Sequence, residues 1–441
     1  MLDDENIVKK YSLAEVVLFL IFAAGVVISL LLVQARGRID LSEPVVLDDS
    51  GLAAPVPSGP GWESQKAWVY ERPNRFSLTA VLGRTPQRVA EVKYQYLLAA
   101  EGIEPAEFLQ NTATAANYRV SRRGRISNGV DMYWVQVYAS RGLPDTVIGV
   151  AQLPHGRAIV LHVRAGGDHL LAMKLFRTLA PQIVFTPQER IVAGAEFIGG
   201  LKSAGLSRIM NDGATEDERA FLISDNSGQP RGFQIVRSRV EPDAGTWGVL
   251  KVERVHYITG TRGLLSRGYF ECSETCDRYI WHTRRSRMRP GRTSASEVEL
   301  AADGTLRISG GSLAQDAAFR PVLAAPEVLI EQIARRRLDH GPDEMLIDIL
   351  FEEGSIAPAL VEKVDCTQDE DNLWRAAYCI RVRYIDGADS QTRFYFDEQK
   401  RLAGRIDGRG RSLVWELSDR RRLTEAFGDL GRFVGADGTA R

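Results

Sequence analysis

GVLKVERVHYITGTRGLLSRGYFECSETCDRYIWHT, residues 248–283, contains three strand-like runs separated by short polar breaks. The runs are Gly248–Thr259, Arg267–Cys272 and Cys276–Thr283. In the first, Leu250, Val252, His256 and Ile258 fall on one face by the period of two that marks a half-buried strand. Successive runs this close together can pair only as antiparallel neighbours, because a parallel pair needs a crossover of a dozen residues or more. The sequence therefore predicts a meander here.

The same punctuation continues on both sides. Gly232–Arg239 precedes the stretch, and Glu297–Ala301 and Thr305–Ser309 follow it. A helical stretch near Pro326–Leu338 separates these from Ala377–Ile385, Thr392–Asp397, Leu402–Ile406 and Ser412–Leu417. Asp303-Gly304, Asp386-Gly387 and Asp407-Gly408 supply hairpin turns. Residues 189–433 are thus expected to form a large antiparallel β-rich domain, with 434–441 as a disordered tail. Long antiparallel strands around few helices resemble the half-barrels of LolA-like lipoprotein carriers, a likeness of architecture that carries over no residue.

Upstream, strands are expected at Phe76–Leu82, Val89–Leu98, Tyr118–Arg122, Val130–Ala139, Thr146–Leu153 and Arg157–Val163, the last two joined by the turn Pro154-His155-Gly156. Pro105 and Glu107 suit the first turn of a short helix. Asp168 caps a second helix, on which Leu171, Leu175 and Leu179 recur every four residues. Residues 62–188 then form an α+β sandwich-like domain, whose element order resembles the PsbP-like fold; that resemblance implies a binding or accessory module.

Val16 to Val33 is a run of eighteen residues without a charge. With its flanks it gives a transmembrane helix over 13–34, since about twenty residues at 1.5 Å rise cross the hydrocarbon core. The run is longer than a signal-peptide core, and Gln34-Ala35-Arg36 makes a poor cleavage site, so the helix reads as a retained signal-anchor. Tyr11-Ser12-Leu13-Ala14-Glu15-Val16 resembles the start of mature type IV pilins, but Lys10 stands where that family's peptidase needs glycine. Residues 1–12 read as a short cytoplasmic tail and 35–61, with Pro44, Pro55, Pro57 and Pro60, as a linker. Lys9 and Lys10 on one side and Arg36 and Arg38 on the other nearly balance. The short tail and the cysteines favour the N-terminus inside and an extracytoplasmic C-terminal part, in the cytoplasmic (inner) membrane. The fold class expected is therefore α+β, a transmembrane helix followed by two antiparallel β-rich domains.

Cys272 and Cys276 flank a three-residue break between two strand candidates, and Cys366 and Cys379 flank an acidic loop. Both spacings suit a disulfide across a hairpin, and the pairs Cys272–Cys276 and Cys366–Cys379 are expected. Reduced structural thiols and a metal site are the alternatives. The six histidines form neither HxH nor HExxH, and no nucleophile elbow, phosphate loop or dinucleotide fingerprint sits between a strand and a helix. No catalytic residue, metal or cofactor is therefore expected. The formal net charge of −1 favours no nucleic acid. One basic run, Arg284, Arg285, Arg287, Arg289 and Arg292, is a candidate surface for anionic headgroups or polymer. The function expected is a non-enzymatic, membrane-anchored module that binds or positions an envelope component, whether another membrane protein or a surface polymer. The alternatives are a lipid carrier using the strand face Tyr378, Ile380, Val382 and Tyr384, and a hydrolase whose site is assembled from distant residues.

Overall fold

The computed structural model describes residues 17–24, 39–83, 89–100, 102, 104–139, 146–166, 168–205, 216–241, 248–260, 263–287, 292–310, 315–317, 324–367, 369, 371–386, 390–408 and 412–430. Residues 17–24 are helical, and Leu18, Phe19, Leu20, Ile21 and Phe22 are 60–72% exposed. The rest of the expected 13–34 span lies outside the described residues. Among those described, no helix is long and apolar enough to cross a membrane. The expected tails, 1–12 and 434–441, also lie outside.

The expected linker is not a spacer where it is described. Asp40–Leu41 pairs with Pro57–Ser58, and Val45–Leu47 and Leu52–Ala54 form a three-stranded sheet with Val184–Phe185. Leu47, Leu52, Ala54 and Val56 are buried. The prolines bend this segment, but its alternating apolar side chains give it a core to join, which a Pro/Gly count overlooks.

The first sheet has eight strands: β1 (Trp62–Ser64), β2 (Val69–Glu71), β3 (Arg75–Leu82), β4 (Ala90–Leu97), β5 (Tyr118–Ile126), β6 (Met132–Ala139), β7 (Thr146–Leu153) and β8 (Arg157–Ala165). Their order is β1-β3-β4-β8-β7-β6-β5, with β2 beside β3, antiparallel throughout. Helix α1 (Pro105–Ala115) covers one face with Leu109 and Ala113, against Val135, Val137, Ile148 and Val160. Helix α2 (His169–Leu179) buries Ala172, Leu175, Phe176 and Leu179 against the other. Its first turn is capped as expected, the Leu171 amide donating to Asp168 Oδ1 at 2.9 Å.

Helix α3 (Glu189–Ser203) leads into a second sheet of fifteen strands. One limb comprises β9 (Glu216–Asp225), β10 (Pro230–Val240), β11 (Leu250–Ile258), β12 (Leu264–Cys272), β13 (Tyr279–Arg287), β14 (Arg292–Leu300), β15 (Leu306–Gly310) and β16 (Gln315–Ala317). The other comprises β17 (Ala325–Pro326), β18 (Glu344–Leu350), β19 (Ile356–Val364), β20 (Tyr378–Tyr384), β21 (Gln391–Phe396), β22 (Leu402–Asp407) and β23 (Leu413–Ser418). Strand β23 joins the limbs by pairing with β9, and the short pair β17–β18 is parallel. Helix α4 (Ile330–His340) lies between β17 and β18 in sequence, and α5 (Arg420–Phe427) covers the outer face of β9–β12 through Leu423, alongside Leu222, Phe233 and Leu265.

The sheet curls back on itself. The turn between β18 and β19 reaches the opposite limb, where a Cβ at Gly354 (φ +86°) would stand 2.5 Å from Ile308. Close approach and a left-handed backbone both require glycine there. The two sheets also share one continuous core, to which Leu161, Ile198 and Ile349 all belong. Between them, Arg157 on β8 and Asp348 on β18 make a bidentate ion pair, at 5% and 4% side-chain exposure, with Nη2 to Oδ1 at 2.9 Å. Tyr70 O–H donates to the Ile356 carbonyl at 2.7 Å across the same seam.

Of the two expected disulfides, the structure contains Cys366–Cys379, with a Cα separation of 5.4 Å. Cys272 and Cys276 are free, buried thiols. The reason lies in the register: Cys272 pairs with Tyr279, so the β12–β13 turn spans 273–278 and Cys276 sits inside it at φ +53° rather than opposite Cys272. Burial, and then the contact with Cys276, push the Cys272 thiol well above its ordinary value. Two thiols are therefore expected to react with a maleimide in denaturant and neither in the native chain. Replacing Cys366 and Cys379 together with Ser should lower unfolding free energy by about 3 kcal/mol, measured by urea titration, as for a closed loop of roughly fifteen residues.

The loop that this disulfide pins is a cover. Trp374 packs on Tyr395 with ring centroids 5.0 Å apart and occupies the space a Cβ at Gly404 would need. Asp369 accepts from Arg393 Nη1 and Tyr395 O–H, both at 3.0 Å.

Candidate functional site

Six adjacent strands, β10 to β15, present a charged groove on their outer face, with a volume of about 800 Å³. Register explains its composition. Glu253, Tyr269, His282, Glu297 and Ser309 are successive cross-strand partners and make one row across the sheet. Arg267, Arg284 and Ala295 make the next. Arg239 and Lys251 pair across β10–β11 at the groove's other end. Within the first row, the Tyr269 and His282 rings stack with centroids 6.3 Å apart, and His282 Nδ1 lies 3.0 Å from Glu297. Tyr269 O–H donates to Glu271 at 2.6 Å; burial and that carboxylate both raise its pKa. The groove thus alternates cations, carboxylates and one aromatic platform. Such a surface can stack on a ring and form hydrogen bonds in both directions.

The inner face of the same strands is different. Below the core residues Leu250 and Val252, the β11 side chains Arg254 and His256 turn into a second, smaller cavity of about 210 Å³ inside the curl. Arg254 and Arg285 converge there on Glu352, Arg285 Nε lying 3.0 Å from Oε1. Burial raises the Glu352 pKa, yet Arg254 and Arg285 outweigh it and leave the carboxyl below its ordinary value. Burial, reinforced by Arg254 and Arg405, draws His256 down to about 3, so the ring is neutral at physiological pH. Arg405 stacks on Trp415 with its guanidinium carbon 3.8 Å from the ring centroid.

The expected basic run is divided by strand alternation. Arg284 faces the outer groove and Arg285 the inner cavity. Arg287 is exposed and pairs across the strand with Arg292, while Arg289 lies outside the described residues. The run therefore is not one surface: a period of two sends neighbours to opposite faces. The strand face that a lipid carrier would use is filled core, with Ile380, Val382 and Tyr384 buried and Tyr378 at its exposed edge. Sequence reasoning identified His256 on its apolar face but missed Arg254 between Val252 and His256, an inward charge that signals a polar interior. Arg405, Trp415 and Glu352 come from strands or turns distant in sequence, and no local pattern ties them together.

No protein-family model matches the chain, and no curated protein matches it. Among solved structures, a β-barrel-like protein of a domain of unknown function, DUF1849, from Brucella abortus is similar over 46% of this chain and 95% of its own, at 7% identity and a TM-score of 0.34. A DUF1089 family protein from Pseudomonas aeruginosa is similar over 38% of this chain and 87% of its own, at 14% identity and a TM-score of 0.24. Neither likeness is close enough to argue from, and neither shows a PsbP-like or LolA-like relationship.

Proposed function

We propose that the chain is a membrane-anchored, extracytoplasmic binding module that offers the outer groove to a polar polymer of the cell envelope. The carrying observation is the exposed apolar helix at 17–24, set within eighteen charge-free residues and followed by a chain with a disulfide. An apolar helix left in water is unfavourable at about 25 cal/mol per Å², and a lipid bilayer is the solvent that suits it. A disulfide favours an oxidising compartment, so the same chain would be anchored on one side and folded on the other. The groove supports polymer binding because its donors, acceptors and Tyr269–His282 stack are spread along cross-strand rows instead of converging on one point.

The test is co-sedimentation of the full chain, in mild detergent, with an isolated insoluble envelope polymer. Binding should fall with added salt. Replacing Tyr269 and His282 with Ala and Arg284 with Glu should reduce it by about tenfold or more, the equivalent of roughly 1.4 kcal/mol. Binding that survives these three substitutions would remove the groove from the account.

A further inference from the structure

The inner cavity carries a second site, independent of the anchor and the groove. Three of its lining side chains hold polar atoms that meet no acceptor or donor among the described residues: Arg405 Nε, Trp415 Nε1 and His256 Nε2. Among the described residues no hydrogen bond meets Arg405 Nε, and the guanidinium lies on the Trp415 face. The other two cavity arginines are committed, since Arg254 and Arg285 both hold Glu352. Buried donors left unmet are unfavourable and uncommon in folded chains, and several around one cavity mark a place where something else supplies the acceptor. Arg337, by contrast, is also fully buried with no acceptor among the described residues but lines none of the cavities described above.

We infer that this cavity binds a small organic monocarboxylate, whose two oxygens meet the Arg405 guanidinium while Trp415 backs it. Size, charge and access agree on that class. About 210 Å³ is the liquid share of roughly seven waters, below the range of drug-sized ligands. A guanidinium presents paired N–H groups that match a carboxylate. Glu327, Glu353 and Asp407 line the cavity as well as Glu352, so any anion must sit against Arg405 and a single negative charge is tolerated better than several. Arg285, with 43% of its side chain exposed, marks the mouth.

The experiment follows thermal unfolding of the full chain in mild detergent against sodium acetate, with ionic strength held constant by chloride. A ligand that binds the native state raises Tm in a saturable way. The expected result is such a rise, with apparent affinity weakened by about tenfold or more in Arg405→Met and several-fold in Trp415→Phe, which keeps an aromatic face but deletes the indole N–H. Trp415→Phe also serves if Arg405→Met fails to fold. A rise of equal size in the variants would be a bulk salt effect and would overturn the proposal. So would acetate acting no differently from chloride, which would mean that water alone meets these donors.

Discussion

Asp348→Ala should lower the unfolding free energy by about 3–5 kcal/mol, because it strands the Arg157 guanidinium between the two sheets. Both side chains are almost wholly buried, so water cannot take over the lost contact. The magnitude comes mainly from the orphaned charge. For that reason, Arg157→Met combined with Asp348→Leu should recover much of the loss, the pair being replaced by apolar groups of similar size. Urea unfolding followed by tryptophan fluorescence and far-UV circular dichroism measures both. Because the two sheets also share a core, the two signals should shift together. A change below about 0.5 kcal/mol for Asp348→Ala, the range of ordinary surface substitutions, would mean that the sheets are not clasped by this pair in solution.

The second large effect is on acid stability. His256 titrates near 6.5 when unfolded and about 3 when folded, because burial, Arg254 and Arg405 all disfavour the imidazolium, against a smaller opposing pull from Glu352. Between those values the unfolded chain binds a proton that the folded chain does not. Stability contributed by this group is therefore complete above pH 6.5 and lost as pH falls toward 3, by about 1.4 kcal/mol per pH unit. Glu352 acts in the same direction but lower: its folded pKa is depressed, so its contribution is lost only below the ordinary carboxylate range. His162 is also lowered, burial outweighing the nearby Glu91. Its slope overlaps that of His256 and must be subtracted. Comparing wild type with His256→Gln between pH 5 and 6.5 isolates the term. Wild type should lose stability more steeply than the variant by about 1.4 kcal/mol per unit. Parallel slopes would show that His256 is hydrated or paired in the folded chain.

Period-two reading located half-buried strands such as Leu402–Asp407, while the turn Pro154-His155-Gly156 bounded Arg157–Ala165, which is buried on both faces for most of its length. Arg157–Ala165 and Leu402–Asp407 lie within two residues of their expected ends. It failed at β18 and β19, where EMLIDIL and IAPALVEKV are buried on both faces for most of their length and show no alternation. It failed again at β9, whose opening Glu-Asp-Glu-Arg hides a strand that turns apolar only afterwards. The arginines at 420–422, grouped in sequence, are separately occupied by Glu218, Glu425 and Glu416. Sequence gives their density but not their partners. The groove was half legible, since Tyr269 and His282 stood in expected strands and Arg284 just beyond one, yet only register puts Glu253, Tyr269, His282 and Glu297 in one row. The inner cavity was not legible, because it needs the curl that carries Glu352 from one limb to Arg254 and Arg285 on the other.

Anchoring with the folded part outside is the claim on which the proposed function rests, and protease treatment of sealed right-side-out membrane vesicles, with an alkaline carbonate wash of a parallel sample, tests it most directly. The account predicts that carbonate leaves the intact chain in the pellet and that protease added to the sealed vesicles removes everything except a short N-terminal fragment containing the 13–34 segment. Release of the intact chain by carbonate, or full protection of residues 189–433 until the vesicles are lysed, would contradict it.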